Sequence, residues 1–321
     1  MSQGRWVGID EAGYGPNLGP LVMSYVSTVG SLDRPPDLWN DLSGTVCRAG
    51  QCAERLWIDD SKAVYAGRLG RCRLAAATLS ALRSIGGPKP DDLAGLCRLL
   101  AAGGPAEIEL QRWSEATEPL PLISGADAAF VAEALRVDHF ATAPWRLEQA
   151  RSVILGPEGF NARLQSSRSK AVVHSSVFAE LLIEIWEACA DGSETLVQCD
   201  KHGGRHFYLD LLHQTIPGAS IERGEEGPAL SAYRLRDGGR RLRIEFRPRA
   251  DRSCGFVALA SIISKWLREC WMDQFNAFWR TRVPGLKPTA GYPLDARRFR
   301  HAIDSAAARE GIEPPVWWRE K

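Results

Sequence analysis

The stretch GRWVGIDEAGYGPNLGPLVMSYVSTV, residues 4–29, is the most informative segment for the fold. Two short apolar runs rich in β-branched residues flank the Gly, Pro and Asn residues of GYGPNLGP, a pattern typical of strand, loop and strand. Asp10 and Glu11 stand at the end of the first run, where strand alternation points them to opposite faces. An isolated acidic pair of this kind is ordinarily a solvated strand end, so its meaning depends on the acids elsewhere in the chain.

After this segment the sequence pattern first becomes helical and then irregular. Ala, Leu and Arg recur at helical spacing from Asp60 to about Ile85, with Asp60 or Ser61 as the N-cap. Residues 86 to about 145 mix helix-like pieces with Pro and Gly clusters, and we interpret them as an insertion. Within it, Trp113 and Trp145 are expected to be packing residues rather than platforms for stacked bases.

The following segments alternate between strand and helix, which predicts an α/β fold with a parallel component. In chain order the pattern predicts a strand and turn in SVILGPEGFN (152–161), a helix in SSVFAELLIEIWEACA (175–190), a strand in TLVQCD (195–200) and a helix in HFYLDLLHQT (206–215). A long apolar helix, residues 255–279, is expected to pack against the sheet. Asp273, on that helix, is expected to have a surface or capping role.

Residues 231–246, SAYRLRDGGRRLRIEF, predict a β-hairpin that turns at Asp237-Gly238-Gly239. Alternation assigns one face to Tyr233, Leu235, Leu242, Ile244 and Phe246, and the other to Arg234, Arg236, Arg241 and Arg243. The arginine face either binds along a nucleic-acid backbone or keeps one side of the sheet solvated. The pattern is compatible with both roles.

Composition limits the class of protein. A chain of 321 residues, 45% apolar and 25% charged, fits one elaborated globular α/β domain. The N-terminus lacks a signal-peptide pattern and no apolar run is long enough to cross a membrane, so we expect a soluble cytoplasmic protein, and a monomer. The 8 cysteines are scattered without C-x-x-C spacing, which favours reduced thiols over a zinc site. A net charge of +1 argues mildly against a nucleic-acid coat protein but permits a local basic face.

Two further acids give the Asp10 and Glu11 pair its context. Asp200 ends an apolar strand, and Asp251 is expected to close a strand and open the long helix. Ligand sites in open α/β sheets gather at strand ends. Carboxylates in close quarters raise one another's pKa unless cations are present, and Mg²⁺ prefers oxygen ligands and phosphates. The pattern therefore predicts a metal-dependent site for phosphodiester hydrolysis.

The segment GIDEAGYGPNLGPLV, residues 8–22, resembles the opening signature of ribonuclease HII, G-I-D-E-A-G-R-G-P-x-x-G-P-V. Further similar blocks follow in the same order: DDSK (59–62), VILGPEGFN (153–161), VQCD (197–200), RADRSCGFVALASIISKWLRE (249–269) and GYPLD (291–295). The resemblance implies a ribonuclease H-like mixed β-sheet flanked by helices. It also implies a single catalytic domain over residues 1–321, with an atypical insertion at about 86–145 and a C-terminal helical region at about 256–321.

The resemblance implies that Asp10, Glu11, Asp200 and Asp251 are catalytic carboxylates that hold two Mg²⁺ or Mn²⁺ ions. One ion would activate water and the other would stabilise the departing 3′ oxygen, leaving 5′-phosphate and 3′-hydroxyl ends. The implied partner is nucleic acid, either an RNA/DNA hybrid or duplex DNA with an embedded ribonucleotide, told from plain DNA by the 2′-hydroxyl. A same-fold nuclease for structured RNA or branched DNA, and a non-catalytic hybrid-binding protein, are the alternatives; retention of all these acids disfavours the latter.

One departure from the family lies beside the acids. The family's Gly-Arg-Gly loop contacts the 2′-hydroxyl and a neighbouring phosphate, whereas this chain has Gly13-Tyr14-Gly15. The glycines still permit close backbone approach, but a phenol replaces a guanidinium that can fork onto phosphate. Strict recognition of an RNA-to-DNA junction is therefore less expected than cleavage itself.

The resemblance also implies further substrate contacts. Ser61, Lys62 and Lys265 occupy motif positions near the substrate backbone. The loop after Asp200 is either a plain strand-to-helix connection or a functional segment, in which Lys201 or Arg205 contacts the scissile phosphate and His202 transfers protons.

Overall fold

The computed structural model describes residues 3–102 and 126–320. Its strands are β1 (Gln3–Ala12), β2 (Leu21–Ser31), β3 (Val46–Cys47), β4 (Leu56–Trp57), β5 (Arg146–Leu155), β6 (Glu194–Asp200), β7 (Ser220–Glu226), β8 (Ser231–Asp237) and β9 (Arg240–Arg247). Its helices are α1 (Leu38–Asp41), α2 (Ser61–Tyr65), α3 (Gly70–Ser84), α4 (Leu93–Leu100), α5 (Ala126–Ala134), α6 (Pro157–Ser167), α7 (Lys170–Ala188), α8 (Leu209–Thr215), α9 (Gly255–Arg282) and α10 (Pro293–Glu310).

The main sheet has 7 strands in the order β5-β2-β1-β6-β9-β8-β7. Strand β1 lies near its centre, antiparallel to β2 and parallel to β6, and β6 is parallel to β9. The predicted mixed sheet flanked by helices is therefore confirmed. Because β1 and β6 run parallel as neighbours, their carboxyl ends, which carry the conspicuous acids, lie at the same edge of the sheet.

Helices cover the two faces of the sheet and enclose two apolar clusters. Helix α9 packs against β1 and β2 on one face, where Val22, Val26, Leu259 and Ile262 are fully buried. Helix α7 covers the other face, where Val7, Ile9, Val177 and Leu181 are buried. The hairpin β8–β9 buries its predicted apolar side in the second cluster, which confirms that alternation.

Several element boundaries differ from the sequence prediction. The helix expected from Asp60 to Ile85 is broken into α2 and α3, because Gly67 adopts a left-handed φ of 79° and a Cβ at Gly70 would lie 1.7 Å from the Tyr65 carbonyl oxygen. The turn expected in PEGFN is the start of α6, with Pro157 in its first turn. Helix α7 begins at Lys170, and strand β7 was not predicted.

The predicted insertion includes α4 and α5. Trp145 packs in the core as expected, and its indole N–H donates to Asp41 Oδ2 at 2.7 Å. Trp113 lies outside the described residues. Asp273 does not have the expected surface or capping role, because it is half-buried and forms an ion pair with Arg71 that joins α9 to α3.

Two observations bear on the expected class of protein. None of the helices described here is both long enough and apolar enough to cross a membrane. The cysteines are all free thiols, and most are buried.

Gly8 sets the distance between β1 and α9. A Cβ at this position would lie 2.3 Å from the backbone of Phe256 and Val257, in the first turn of α9. We expect Gly8→Ala to lower the free energy of unfolding by about 1–3 kcal/mol through overpacking, as urea denaturation would show. Gly44→Ala is the matched control, because no atom lies within 4 Å of a Cβ there. Equal stability of the two variants would contradict the proposed contact.

Candidate active site

Asp10 and Glu11 lie within β1, which continues to Ala12, and face opposite sides of the sheet as predicted. Asp10 belongs to the α9 side, where the Ser261 hydroxyl is a hydrogen-bond partner of its carboxyl group. Glu11 belongs to the α7 side, where its Oε1 lies 3.5 Å from His174 Nε2. Helices on both faces therefore hold the acidic pair.

Asp200 lies beside Asp10, because the parallel register pairs Ile9 with Cys199 on the neighbouring strand. Asp200 Oδ1 accepts hydrogen bonds from the backbone N–H groups of Lys201, at 2.8 Å, and Arg249, at 2.7 Å. Arg249 adopts a left-handed φ of 56°, uncommon for a residue other than glycine. One carboxylate oxygen of Asp200 thus anchors the loop that follows β9.

Asp251 lies in that loop rather than between a strand and the long helix. Strand β9 ends at Arg247, α9 begins at Gly255, and Asp251 occupies a 3₁₀ turn spanning Ala250–Arg252. The expectation that Asp251 closes a strand and opens the helix is therefore corrected. The turn still brings this acid to the edge that carries Asp200.

The acids influence one another electrostatically. Burial raises the pKa of Asp10 well above its ordinary value, and the charges of Glu11 and Asp200 raise it further. Burial also raises the pKa of Asp200, and Glu11 adds to that rise. For Asp251 burial again acts first, followed by the charges of Asp60 and Asp200. These carboxyl groups therefore form one coupled set.

Asp60 is a member of this set that the sequence analysis assigned only to capping. Its side chain caps α2 by accepting from the Lys62 N–H at 2.8 Å, which confirms the predicted cap. It also lies 3.9 Å from the Arg252 guanidinium and close enough to Asp251 to raise its pKa. The DDSK motif was the available signal, but only the folded chain brings its second acid to Asp251.

Serine hydroxyls connect α9 to the acidic edge. Ser61 is buried, and its hydroxyl oxygen lies 3.0 Å from that of Ser261, the partner of Asp10. Ser264 Oγ lies 3.1 Å from the Asp10 carbonyl oxygen and 2.7 Å from Ser24 Oγ. Ser61, predicted to contact substrate, therefore lies behind Asp10, and a role in substrate binding would be indirect.

A small polar cavity adjoins Glu11 on the α7 side, lined in part by Tyr14, His174, His202 and Arg205. The ring of His174 contacts those of Tyr14 and His202 edge to face, with centroid distances of 5.0 and 4.5 Å. Burial lowers the pKa of His202 well below its ordinary value, so the imidazole is neutral at physiological pH. The sequence analysis missed His174, because it lies one residue before the helical segment that was recognised.

The predicted basic contacts have different surroundings. Lys62 is exposed. Lys201 Nζ donates to the Gly227 carbonyl oxygen at 2.8 Å and lies 2.9 Å from Ser231 Oγ. Lys265 Nζ pairs with Glu269 Oε1 at 2.5 Å. The guanidinium of Arg205 lies 5.8 Å from the Tyr208 ring centroid. Phosphate contacts by these residues stay predictions, and Lys201 and Lys265 would have to exchange existing partners.

The arginine side of the hairpin is exposed on the same sheet face as Asp200. The parallel register pairs Asp200 with Arg247, and Leu196 with Arg243. Acidic neighbours partly neutralise this surface, as in the pairs Arg243 with Glu245 at 2.5 Å and Arg241 with Glu194 at 3.3 Å. This surface fits both roles considered for the arginines, nucleic-acid binding and solvation.

Oxygen donors dominate the acidic edge and match the chemistry of a hard divalent cation. Within residues 3–102 and 126–320, no three His, Cys, Asp or Glu side chains are gathered closely enough to hold a metal ion. Burial, followed by the charges of neighbouring acids, raises the pKa values of Asp10, Asp200 and Asp251, so their charged forms are disfavoured in the absence of a cation. A bound cation would relieve this repulsion, so the donor set fits such an ion.

Comparisons with known proteins find similarity at the level of structure. No protein-family model matches the chain, and no curated protein sequence matches it. The ribonuclease HII of Archaeoglobus fulgidus, solved in complex with PCNA, is 15% identical, with a TM-score of 0.42 and coverage of 98% of this chain and 94% of that one. The ribonuclease H2 of Pyrococcus horikoshii is 14% identical, with a TM-score of 0.45 and coverage of 98% and 92%. Bst-RNase HIII, solved with Mn²⁺, is 13% identical, with a TM-score of 0.41 and coverage of 99% and 67%.

The raised pKa of Asp10 predicts a pH-dependent stability in the metal-free protein. Between the ordinary value of 3.8 and the raised value, the folded state keeps a proton that the unfolded chain has lost. The free energy of unfolding should therefore fall as pH rises through this interval, by about 1.4 kcal/mol for each unit of pKa shift. Removing this charge with Asp10→Asn should raise the stability at neutral pH.

Urea denaturation in excess chelator, from about pH 4 to about pH 8, measures this effect. Asp237→Asn, at the exposed hairpin turn, is the control and should leave the pH profile unchanged. An Asp10→Asn variant less stable than the parent at neutral pH would show that the carboxylate is not under electrostatic strain.

Proposed function

We propose that the chain is a divalent-metal-dependent endonuclease of the ribonuclease H type. Its substrate would be the RNA strand of an RNA/DNA hybrid, or DNA at an embedded ribonucleotide, and its products would carry 5′-phosphate and 3′-hydroxyl ends. The observation that carries the proposal is the placement of Asp10 and Asp200 at the neighbouring ends of β1 and β6, with Asp251 in the turn near Asp200. Such a set costs stability in isolation and is useful when it binds cations.

Asp10, Glu11, Asp200 and Asp251 are the residues that would hold two Mg²⁺ or Mn²⁺ ions. When bound, such ions stabilise charge on phosphodiester oxygens and lower the pKa of water. The protein orients the carboxylates from behind. Asp200 Oδ1 accepts from two backbone N–H groups, and the Ser261 hydroxyl is a hydrogen-bond partner of the Asp10 carboxyl group.

On the α7 side, the protein positions Glu11 and provides a neutral imidazole. His174 lies within ion-pairing distance of the Glu11 carboxylate and, being buried, restricts its rotation. Burial lowers the pKa of His202, so its imidazole is neutral but only weakly basic. Proton transfer by His202 is part of the proposal.

Tyr14 supports a second candidate function with the same chemistry. Its ring is 38% exposed beside Glu11, where it can stack on a base or sugar but cannot fork onto phosphate as an arginine does. Structured RNA or branched DNA would then be the substrate. The two candidates differ in which nucleic acid is cut and not in the residues that cut it.

A cleavage panel tests the proposal. It compares a uniform RNA/DNA hybrid, a singly ribo-substituted duplex, double-stranded RNA and branched DNA, each with Mg²⁺ or Mn²⁺. We expect the hybrid or the ribo-substituted duplex to be cut, and Asp10→Asn or Asp200→Asn to reduce kcat by at least about 100-fold, since loss of outer-shell groups alone costs 10–100-fold. Asp237→Asn should cleave like the parent chain. Full activity of either site variant would exclude the site, and cleavage of branched DNA alone would favour the second candidate.

Tyr14→Arg tests what determines substrate preference. A guanidinium at this position adds a charge-assisted contact to phosphate, worth about 1.5–3 kcal/mol and so about tenfold or more in binding. We expect kcat/KM for the singly ribo-substituted duplex to rise relative to the uniform hybrid. Tyr14→Phe keeps the ring without the cation and should not change this ratio. An unchanged ratio in Tyr14→Arg would show that the loop does not determine preference.

A further inference from the structure

Arg319 is a buried cation with an unusual set of partners. Its side chain is 0% exposed, and the part of the chain described here offers it only backbone carbonyl oxygens as acceptors. The guanidinium donates to Gly13 and to Tyr14, the latter at 3.1 Å, and reaches Gly19 at 3.5 Å. It also stacks on Phe160, 3.9 Å from the ring centroid. These partners place it directly beneath the loop that carries Tyr14.

The backbone around Arg319 is held on both sides. The Arg319 N–H donates to the Asn17 carbonyl oxygen at 2.7 Å, and the Asn17 side chain donates back to the Arg319 carbonyl oxygen at 3.0 Å. Asn161, in α6, donates to the Trp318 carbonyl oxygen at 2.7 Å and accepts from the Glu320 N–H at 2.9 Å. The segment Trp317–Glu320 thus joins the Tyr14 loop to α6.

The direction of the Arg319 hydrogen bonds determines how the loop presents its own donors. In a trans peptide the C=O and N–H groups point in opposite directions. Because the carbonyl oxygens of Gly13 and Tyr14 turn toward Arg319, the N–H groups of Tyr14 and Gly15 turn away from it, toward solvent. Neither N–H has an acceptor among the described residues, and a Cβ at Gly15 would meet no atom within 4 Å. Two consecutive donors are thus presented on an open surface.

Arg268 reinforces this arrangement from α9. Its guanidinium donates to the carbonyl oxygens of Leu18, at 3.0 Å, and Pro20, at 3.1 Å. Burial lowers the pKa of Arg268 to about 10 and that of Arg319 to about 9, and the charge of Arg268 contributes to the latter. Both values leave the guanidinium groups charged at neutral pH. Two buried cations beneath one loop favour an anion on its outer surface.

From these contacts we infer that Arg319 is a positioning residue, which fixes the Gly13–Gly15 backbone so that its N–H groups meet a phosphate or ribose oxygen of the nucleic acid. The inference rests on the proposed function, because it concerns how the same site binds its substrate. Arg319 itself does not touch the nucleic acid. It contributes loop geometry and a positive field, and so partly offsets the absence of an arginine at position 14.

The test compares Arg319→Ala and Arg319→Lys with the parent chain. Kd for a uniform RNA/DNA hybrid is measured by fluorescence anisotropy without divalent metal, and KM and kcat are measured with Mg²⁺. For Arg319→Ala we expect Kd and KM to rise about tenfold, because the misplaced loop would lose about one charge-assisted hydrogen bond from its N–H groups to the nucleic acid. The value of kcat should change less than about threefold. Arg319→Lys should be intermediate, because it keeps the charge but loses the planar fork. Hydrogen exchange of residues 13–20 should quicken in parallel.

Arg5→Ala is the matched control for the loss of a buried arginine. Arg5 pairs with Glu148 and Asp191 at the end of β1 opposite Asp10, so its removal should destabilise the fold without affecting the loop. If Arg319→Ala does not fold, Arg319→Lys carries the test. Parental Kd and KM in a folded Arg319 variant, or an equal rise in Arg5→Ala, would overturn the inference.

These outcomes are distinct from a failure of the proposed function. If the parent chain binds the hybrid but cuts none of the four substrates, the nuclease proposal fails, while the binding measurements still decide the role of Arg319. If the parent chain does not bind the hybrid even at high concentration, the inference is overturned as well.

Discussion

The close packing of α9 on β1 is the constraint on which the candidate site depends. Gly8 has no side chain where the first turn of α9 crosses the strand, and a Cβ there would overlap the helix backbone. The same approach brings Ser261 and Ser264 to Asp10, one to its carboxyl group and the other to its carbonyl oxygen. A buried carboxyl group needs such partners, since burying it without hydrogen bonds costs several kcal/mol. The close approach of α9 to β1 therefore determines both the helix packing and the geometry around Asp10.

The acidic residues at the sheet edge lower the stability of the fold. Each of Asp10, Asp200 and Asp251 has a raised pKa, first through burial and then through the charge of a neighbouring acid. Apolar residues at these positions would serve the fold better. The hydrogen bonds present orient the groups without neutralising them, as the two backbone N–H groups that donate to Asp200 Oδ1 do. This arrangement suits a site completed by cations, because a bound ion removes the repulsion while the carboxylates stay charged.

Periodicity predicted the sheet well because strand burial leaves a local signature. The alternation of the 231–246 hairpin and the apolar run ending at Asp200 both survive in the structure. Strand β7, SIERGEE, escaped prediction because it is a mostly exposed edge strand without an apolar face. The break between α2 and α3 depends on a contact of Gly70 with the Tyr65 backbone, which helical spacing does not encode. Asp60, His174 and Arg319 join the site only through tertiary contacts; the DDSK motif marks Asp60, but no local pattern marks the other two.

The loop beside the acids shows how charge can act without contact. An arginine at position 14 would meet phosphate directly; this chain has an exposed phenol there and two guanidinium groups beneath the loop. A surface arginine loses rotamer entropy on each binding event, whereas Arg319 is ordered in advance by Phe160 and the loop carbonyl groups. The buried pair can favour an anion over the whole loop, but it cannot fork onto one phosphate. Such a loop would bind nucleic acid through backbone geometry and leave discrimination to the outward-facing groups at positions 14 and 15.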